Sequence, residues 1–460
     1  MTSRRSFLKL SAVAAATPAL GVRGDEIPVA RPLRSLPKTD VFVAGAGPAG
    51  IGAAIAAARN GAKVTLAETF GFPGGMATAG LVGPISKFNF GGRRVVGGIA
   101  WELVERLAAA GGAITDLQKG NVPFEAEVYR RVARGMLEEA GVRCLWQTQV
   151  CGEPELGPDG SIRAVTLSTA GFLSRIEAKR FVDCSASGAI VGHHGFGSFR
   201  SEKGAAQPLS LCFLMGGVDT EKARVLVRND NERSASQTLR AALAEAMAAG
   251  RIKSFGGPWA VWGSTIRPGF VSVNATRADA TDVTDPLQIA EATERMRREL
   301  PVVVEVFRKA DPAFRNAWLA QSAAASGFRE CREIVALHRV TAAEFESGED
   351  VPDAIALAAH PMDRHLAGSS GQSLTFLKRP GVIPLSALVS AKCPNLLAAG
   401  GLVAAEPAAF ASMRVQAQCM AMGQAAGTAA ATSAGADVRT LDFAAIRKVC
   451  ERQGAMTVSV

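Results

Sequence analysis

"DVFVAGAGPAG", Asp40 to Gly50, runs from a short apolar segment into glycines spaced as G-x-G-x-x-G. Asp40–Ala44 reads as a buried strand. An alanine-rich helix follows, Ala49 to Asn60, closed by Gly61. A second strand, Lys63 to Ala67, leads to Glu68. Glycines at that spacing between strand and helix, with an acidic residue ending the next strand, predict a dinucleotide-binding βαβ unit. Gly45 permits the tight turn, Gly47 lets backbone amides approach a pyrophosphate, and Gly50 lets helix and strand pack closely. Pro48 and Ala49 open the helix, whose N-terminus offers free amides and a positive dipole end to phosphates. Glu68 is expected to accept hydrogen bonds from the adenosine ribose, which disfavours a 2′-phosphate and hence NADP.

The loop alone does not separate FAD from NAD. The next stretch, "ETFGFPGGMATAGLVGPI" (Glu68–Ile85), carries Gly74, Gly75 and Met76 a few residues beyond the ribose carboxylate. Several flavoprotein families place a glycine pair there, where the chain passes along the cofactor. With this segment the chain resembles a bacterial FAD-dependent oxidoreductase family within the glutathione-reductase-like flavoprotein class. The resemblance covers nearly everything after the first few dozen residues. It extends through "NVPFEAEVYRRVARGMLEEAGVRCLWQTQV", "SVNATRADATD", "SGFRECREIVALHRVT", "HPMDRHLAG" and the stretch Ile383–Ala431. It implies FAD as cofactor and an α/β fold: a discontinuous Rossmann-like FAD-binding domain with an inserted α+β substrate domain.

In the last stretch, Asn395–Ala399 reads as a strand entering a Gly400-Gly401 turn. From Ser412 onward a long helix of small residues is expected, with Gly423 and Gly427 on one face. Its start, Ser412, Met413 and Arg414, is expected to aim backbone amides at the flavin ring. A merely close-packed helix is the alternative. Two motifs depart from the family pattern: "DCSASGA" (Asp183–Ala189) where A-T-G-D-G is usual, and Gly400-Gly401 where Gly-Arg is usual.

The N-terminus reads "SRRSFLKLSAVAAA", Ser3 to Ala16. Ser3–Lys9 resembles the twin-arginine export consensus S-R-R-x-F-L-K, and the uncharged run Leu10–Leu20 is too short to span a bilayer. Cleavage is expected near Ala16 or Ala19. The expected partners are therefore the twin-arginine export machinery and a small-molecule substrate, and the location is the periplasm or beyond.

The 460 residues carry a net charge of +9, and Arg4, Arg5, Lys9 and Arg23 lie in or beside the leader. The rest shows no long basic block, so nucleic acid is not an expected partner. Val415–Ala436 is uncharged and long enough to span a membrane, but its glutamines, threonines and glycines make transfer into lipid unfavourable; a buried helix is expected instead. The eight cysteines form no C-x-x-C pair, and the adjacent His193 and His194 point to opposite faces of an extended segment, so no metal site is expected.

The expected domain plan is a signal peptide at 1–24, a linker at 25–37, FAD-binding segments at 38–200 and 381–436, a substrate domain at 201–380, and a tail at 437–460. Asp159-Gly160 is expected to turn a hairpin. In the substrate domain, strands are expected at Leu209–Met215 and Phe270–Ala275, and helices at Ser234–Ala249 and Pro286–Lys309. Flavin supplies redox chemistry, so protein groups must orient substrate and move protons. Arg329 suits a substrate carboxylate; alternatively Arg329 and Arg332 pair at the surface with Glu330 or Glu333. Asp363 and His365, in a segment that reads as a loop, suit a proton-transfer pair; the alternative is a turn cap with an exposed histidine. The expected activity is hydride transfer from a small organic substrate to FAD. The alternative is a flavin-binding protein without redox turnover.

Overall fold

Thr39–Ala44 (β1) is apolar throughout after Thr39 and Asp40, because it lies inside a sheet covered on both faces. The chain turns at Gly45 into helix α1 (Pro48–Arg59) and returns in β2 (Val64–Glu68), parallel to β1 with Val43 opposite Leu66. Helix α2 (Ala126–Glu139) leads to β3 (Arg143–Trp146), parallel to β2. Parallel strands joined through a helix are the crossover units that a strand–glycine turn–helix sequence favours. Strands β4 (Ile162–Thr169) and β5 (Phe172–Asp183) form an antiparallel pair. The turn at Asp159-Gly160 leads into β4, with Gly157 N–H on Ser161 O at 2.7 Å. The far end of β5 then joins β1 in parallel, Asp183 opposite Ala44. One long strand thus ties a small antiparallel insertion to the nucleotide sheet.

The computed structural model describes residues 33–115, 120–202, 204–223, 232–260, 266–280, 282–433 and 435–458. Residues 1–34 and 35–460 form two units, and the elements named in this subsection all lie in the second. The export signal and the first part of the expected linker, residues 25–32, lie outside the described residues.

A second sheet is built from β6 (Phe213–Gly216), β7 (Phe255–Ala260), β8 (Val271–Thr276) and β9 (Trp318–Ser322), in the order β7-β8-β6-β9 and antiparallel throughout. Helices α3 (Glu232–Ala248) and α4 (Pro286–Ala310) cover it, and Phe213, Val273, Leu243, Met296 and Phe307 fill the space between. Helix α4 starts where the sequence places Asp before Pro: Asp285 Oδ1 accepts from Leu287 N–H at 2.8 Å.

Two local expectations are corrected. The segment containing Asp363 is a strand, β10 (Met362–His365), paired with β11 (Gln372–Thr375) and not a loop. After β12 (Leu396–Ala398), parallel to β5, the chain does not form one helix from Ser412. Helix α5 (Pro407–Met413) ends, Val415 is extended (φ −77°, ψ 157°), and α6 runs Gln416–Thr432.

Helix α6 is buried on nearly every side. Several of its polar groups find internal partners: Gln424 Oε1 accepts from Ile99 N–H at 2.9 Å, and Gln418 Nε2 donates to Lys87 O at 3.2 Å. Among the described residues no helix is long and apolar enough to cross a membrane.

Candidate active site

The glycines of the first turn divide their work by space. A Cβ at Gly45 would lie 2.8 Å from Cys184 O, and one at Gly50 only 1.7 Å from Gly45 O. A Cβ at Gly47 would meet nothing within 4 Å. Gly45 and Gly50 are therefore packing positions, while Gly47 faces open space at the start of α1. Helical bonding begins with Ile51 N–H on Gly47 O at 3.0 Å, which leaves the amides of Ala49 and Gly50 free of the ladder. An open glycine beside free amides is a cradle shaped for a pyrophosphate, and the residues present fit FAD.

Glu68 ends β2 with its carboxylate buried beneath this loop. Oε2 accepts from Ala46 N–H at 2.6 Å and Oε1 from Phe70 N–H at 2.9 Å. Burial pushes its pKa up against those bonds. Each oxygen keeps lone-pair capacity for a ribose hydroxyl.

Gly74 N–H donates to Ala46 O at 2.8 Å, and a Cβ at Gly75 would lie 2.9 Å from Gly47 Cα, so the 74–76 segment crosses directly over the loop. From there Met76 reaches across to Gly327, where an added Cβ would lie 2.7 Å from its methyl. Gly400 sits against the tip of α1, 2.8 Å from Ala49 Cβ by the same measure.

The departures from the family pattern form an ordered turn. Asp183 Oδ2 accepts from the amides of Ile190 and Val191 at 2.8 and 2.9 Å, and Oδ1 from Ser185.

Ser412 and Met413 do not begin the long helix. They are buried at the end of α5, where Ser412 Oγ donates to His360 O at 2.5 Å. Arg414 donates to Asp363 O at 3.1 Å. The free helix N-terminus belongs instead to Gln416–Gln418, with Cys419 N–H bonded to Val415 O at 2.9 Å.

Arg414 thereby joins a buried polar cluster. Asp363 and His365 are two apart on β10, so their side chains share a face, and His365 Nε2 lies 3.2 Å from Asp363 Oδ2. Neither is exposed, so the reading as a surface turn cap is excluded. Arg329 is also buried, with Nη1 donating to Pro208 O and Nη2 to Ser210 Oγ at 2.8 Å. It is not a surface ion pair. Burial, then the charges of Arg414 and Arg277, lower its pKa to about 9. Arg332 lies apart, donating to Ser187 O and stacked over Phe199.

Three further members of the cluster carry no clear site signal in the sequence. Arg277, fully buried just after β8, reaches His365 Nδ1 at 2.7 Å. Glu330 accepts from Gln207 N–H and Nε2 at 2.7 and 3.1 Å, and Gln207 Oε1 accepts from His365 N–H at 3.0 Å. Arg277 directly follows the alternating strand Val-Ser-Val-Asn-Ala-Thr, a position that carries no site signal of its own.

Burial raises the Asp363 pKa, but the His365 bond and the charges around it, Arg414 among them, outweigh burial and hold the carboxyl below its ordinary range. Burial pushes His365 down to about 4. Asp363 Oδ1 is buried and has no hydrogen-bond partner.

The FAD dependent oxidoreductase family pattern matches residues 40–450, and the TAT (twin-arginine translocation) pathway signal pattern matches residues 1–21. No curated protein matches the chain by sequence. Among solved structures, a geranylgeranyl bacteriochlorophyll reductase-like protein from Thermoplasma acidophilum is 12% identical, with 91% of this chain and 83% of that one covered and a TM-score of 0.48. The flavin-dependent brominase Bmp2 is 16% identical over 90% of this chain and 84% of its own, at 0.44. The anhydrotetracycline hydroxylase OxyS from Streptomyces rimosus is 13% identical over 91% and 68%, at 0.42. With the family pattern covering nearly the whole of the folded unit, the chain belongs to the FAD dependent oxidoreductases: it is an enzyme that uses FAD and carries a twin-arginine signal for export to the periplasm or beyond.

Proposed function

We propose that the enzyme oxidises a small organic acid bearing a hydroxyl or amino group, bound where Asp363, His365 and the arginines meet. The observation that carries this reading is Asp363 Oδ1, a buried carboxylate oxygen without a partner. Leaving such an oxygen unsatisfied costs about 1–3 kcal/mol or more, which a donor on a bound substrate offsets. Bound FAD supplies the two-electron acceptor. Taking a hydride from carbon leaves a proton on the neighbouring oxygen or nitrogen, and Asp363 accepts it.

The anionic group of the substrate follows from charge. Arg277, Arg329 and Arg414 outnumber Asp363 and Glu330, and a buried excess of positive charge favours an anion. Arg329 contributes its charge to that excess, while one N–H of each terminal nitrogen holds Pro208 O or Ser210 Oγ. The proposed division of labour gives residues 201–380 to the substrate and residues 38–200 with 381–436 to FAD, with Arg414 reaching from the latter into the substrate cluster. Met76 against Gly327 links the two, two residues from Arg329.

The test is anaerobic titration of the FAD-loaded protein with 2-hydroxy and amino acids, alongside uncharged alcohols and amines of the same skeletons. Bleaching of the flavin by members of the acid series only is expected. Bleaching by the uncharged series alone would remove the anion preference. Bleaching by none would favour a protein that binds FAD without turnover.

A further inference from the structure

The hydrogen bond between Arg277 and His365 has only one possible direction. Guanidinium nitrogens donate and never accept, so His365 Nδ1, at 2.7 Å from Arg277 Nη2, is an acceptor and carries no proton. The neutral ring must then hold its proton on Nε2, the atom 3.2 Å from Asp363 Oδ2. Arg277 cannot swing away easily. Its Nη1 also donates to Ser369 O at 2.5 Å and Gly371 O at 2.9 Å, both in the turn that joins β10 to β11. The residue leaves the end of β8 and grips the hairpin that carries both Asp363 and His365.

We infer that Arg277 is a positioning residue that locks His365 as its Nε2–H tautomer, so that Asp363 Oδ1, and not the imidazole, is the acceptor the site offers. This rests on the proposed reading of the cluster as the substrate site and adds to it the device that keeps the imidazole out of the acceptor role. Both ring nitrogens are occupied: Nδ1 accepts from Arg277 and Nε2 donates to Asp363. A second proton on Nδ1 would face an arginine N–H across 2.7 Å. The imidazole also orients the carboxylate, because its bond fixes Oδ2 and leaves Oδ1 free. Gln207 completes the support by accepting from the His365 backbone amide. The charged groups around the ring are Arg277 from the end of β8, Arg329, Arg414 and Asp363. Burial and the Arg329 charge favour the neutral imidazole, as does Arg414, while Asp363 opposes them.

The test is a long-range proton–nitrogen NMR spectrum of the FAD-loaded protein labelled with nitrogen-15 at histidine. The His365 signals are assigned by their loss in His365→Gln. The expected pattern is a neutral Nε2–H ring that does not titrate between pH 8 and pH 5. In Arg277→Met the same ring is expected to titrate, with a midpoint at least one pH unit higher than in the unsubstituted protein. A His365 found as Nδ1–H, or as imidazolium at pH 7, would overturn the lock. So would an Arg277→Met spectrum identical to that of the unsubstituted protein. If Arg277→Met does not fold, the spectrum of the unsubstituted protein still decides. The readout needs no turnover. An Nε2–H ring in a protein whose flavin no acid bleaches keeps the lock and removes the oxidation reading. Bleaching with an Nδ1–H ring does the reverse.

Discussion

His365 is buried and His360 half-buried, and both are held neutral, each with its pKa pushed down by desolvation to about 4. In the unfolded chain a histidine titrates near 6.5. Between those values the unfolded state binds more protons than the folded one, so stability rises with pH and is lost as pH falls from about 6.5 towards 4. Each histidine contributes up to about 1.4 kcal/mol per pH unit in that window. Denaturant unfolding at pH 7 and pH 5 is expected to show a clear acid loss, reduced by about one proton's worth of slope in His365→Gln. An unchanged slope would mean that His365 titrates normally in the folded protein. Gly47 is a second residue-scale test. Its Cβ direction is empty, so Gly47→Val is expected to fold yet lose FAD, seen as colourless protein with unaltered far-ultraviolet circular dichroism. The loop was legible in the sequence because glycine spacing reports backbone geometry directly. Arg277 was not, because a single arginine after a strand gives no sign of the partner that lies 88 residues further on.

Helices α1 and α6 touch through backbone. A Cβ at Gly423 would lie 1.9 Å from Ala49 O, and one at Gly427 2.0 Å from Ala53 O. Neither neighbour is a flexible side chain that can move aside. Gly427→Ala is expected to destabilise the fold by about 1–3 kcal/mol, as overpacking does, and to weaken FAD retention because α1 carries the Gly47 turn. Gly135 in α2 is the control: an added Cβ meets nothing, its φ is ordinary, and Gly135→Ala is expected to stabilise by about 0.5–1 kcal/mol. Thermal unfolding and flavin release of the two variants check both signs. The helices at 48–59, 232–248 and 286–310 were legible from composition and capping signals. The break between α5 and α6 was not, because no glycine or proline stands between Phe410 and Met422 to mark it. The break comes from tertiary contacts: Ser412 held by His360 O, and Arg414 drawn to Asp363 O. Strand β10 was missed for a related reason. "MDRH" has no apolar alternation, and its pairing with β11 provides what its own sequence lacks.

At the scale of the whole molecule, the first turn, the 74–76 crossing and the Gly400 turn, far apart in sequence, meet at α1, and we propose that together they hold FAD. Such a site exists only once the chain has folded, and the twin-arginine signal serves a route that accepts folded cargo. Arg4→Lys with Arg5→Lys is expected to leave flavin-loaded protein in the cytoplasm. Export of that double variant, measured by cell fractionation, would contradict folding around FAD before translocation. The central claim is that an exported FAD enzyme oxidises a small acid with Asp363 as proton acceptor. Its most direct test is anaerobic rapid mixing of the acid that bleaches the flavin with the unsubstituted enzyme and with Asp363→Asn, following flavin absorbance. Asp363→Asn is expected to retain its flavin and to be reduced at least about 10²-fold more slowly; reduction of Asp363→Asn at the unsubstituted rate would contradict the account.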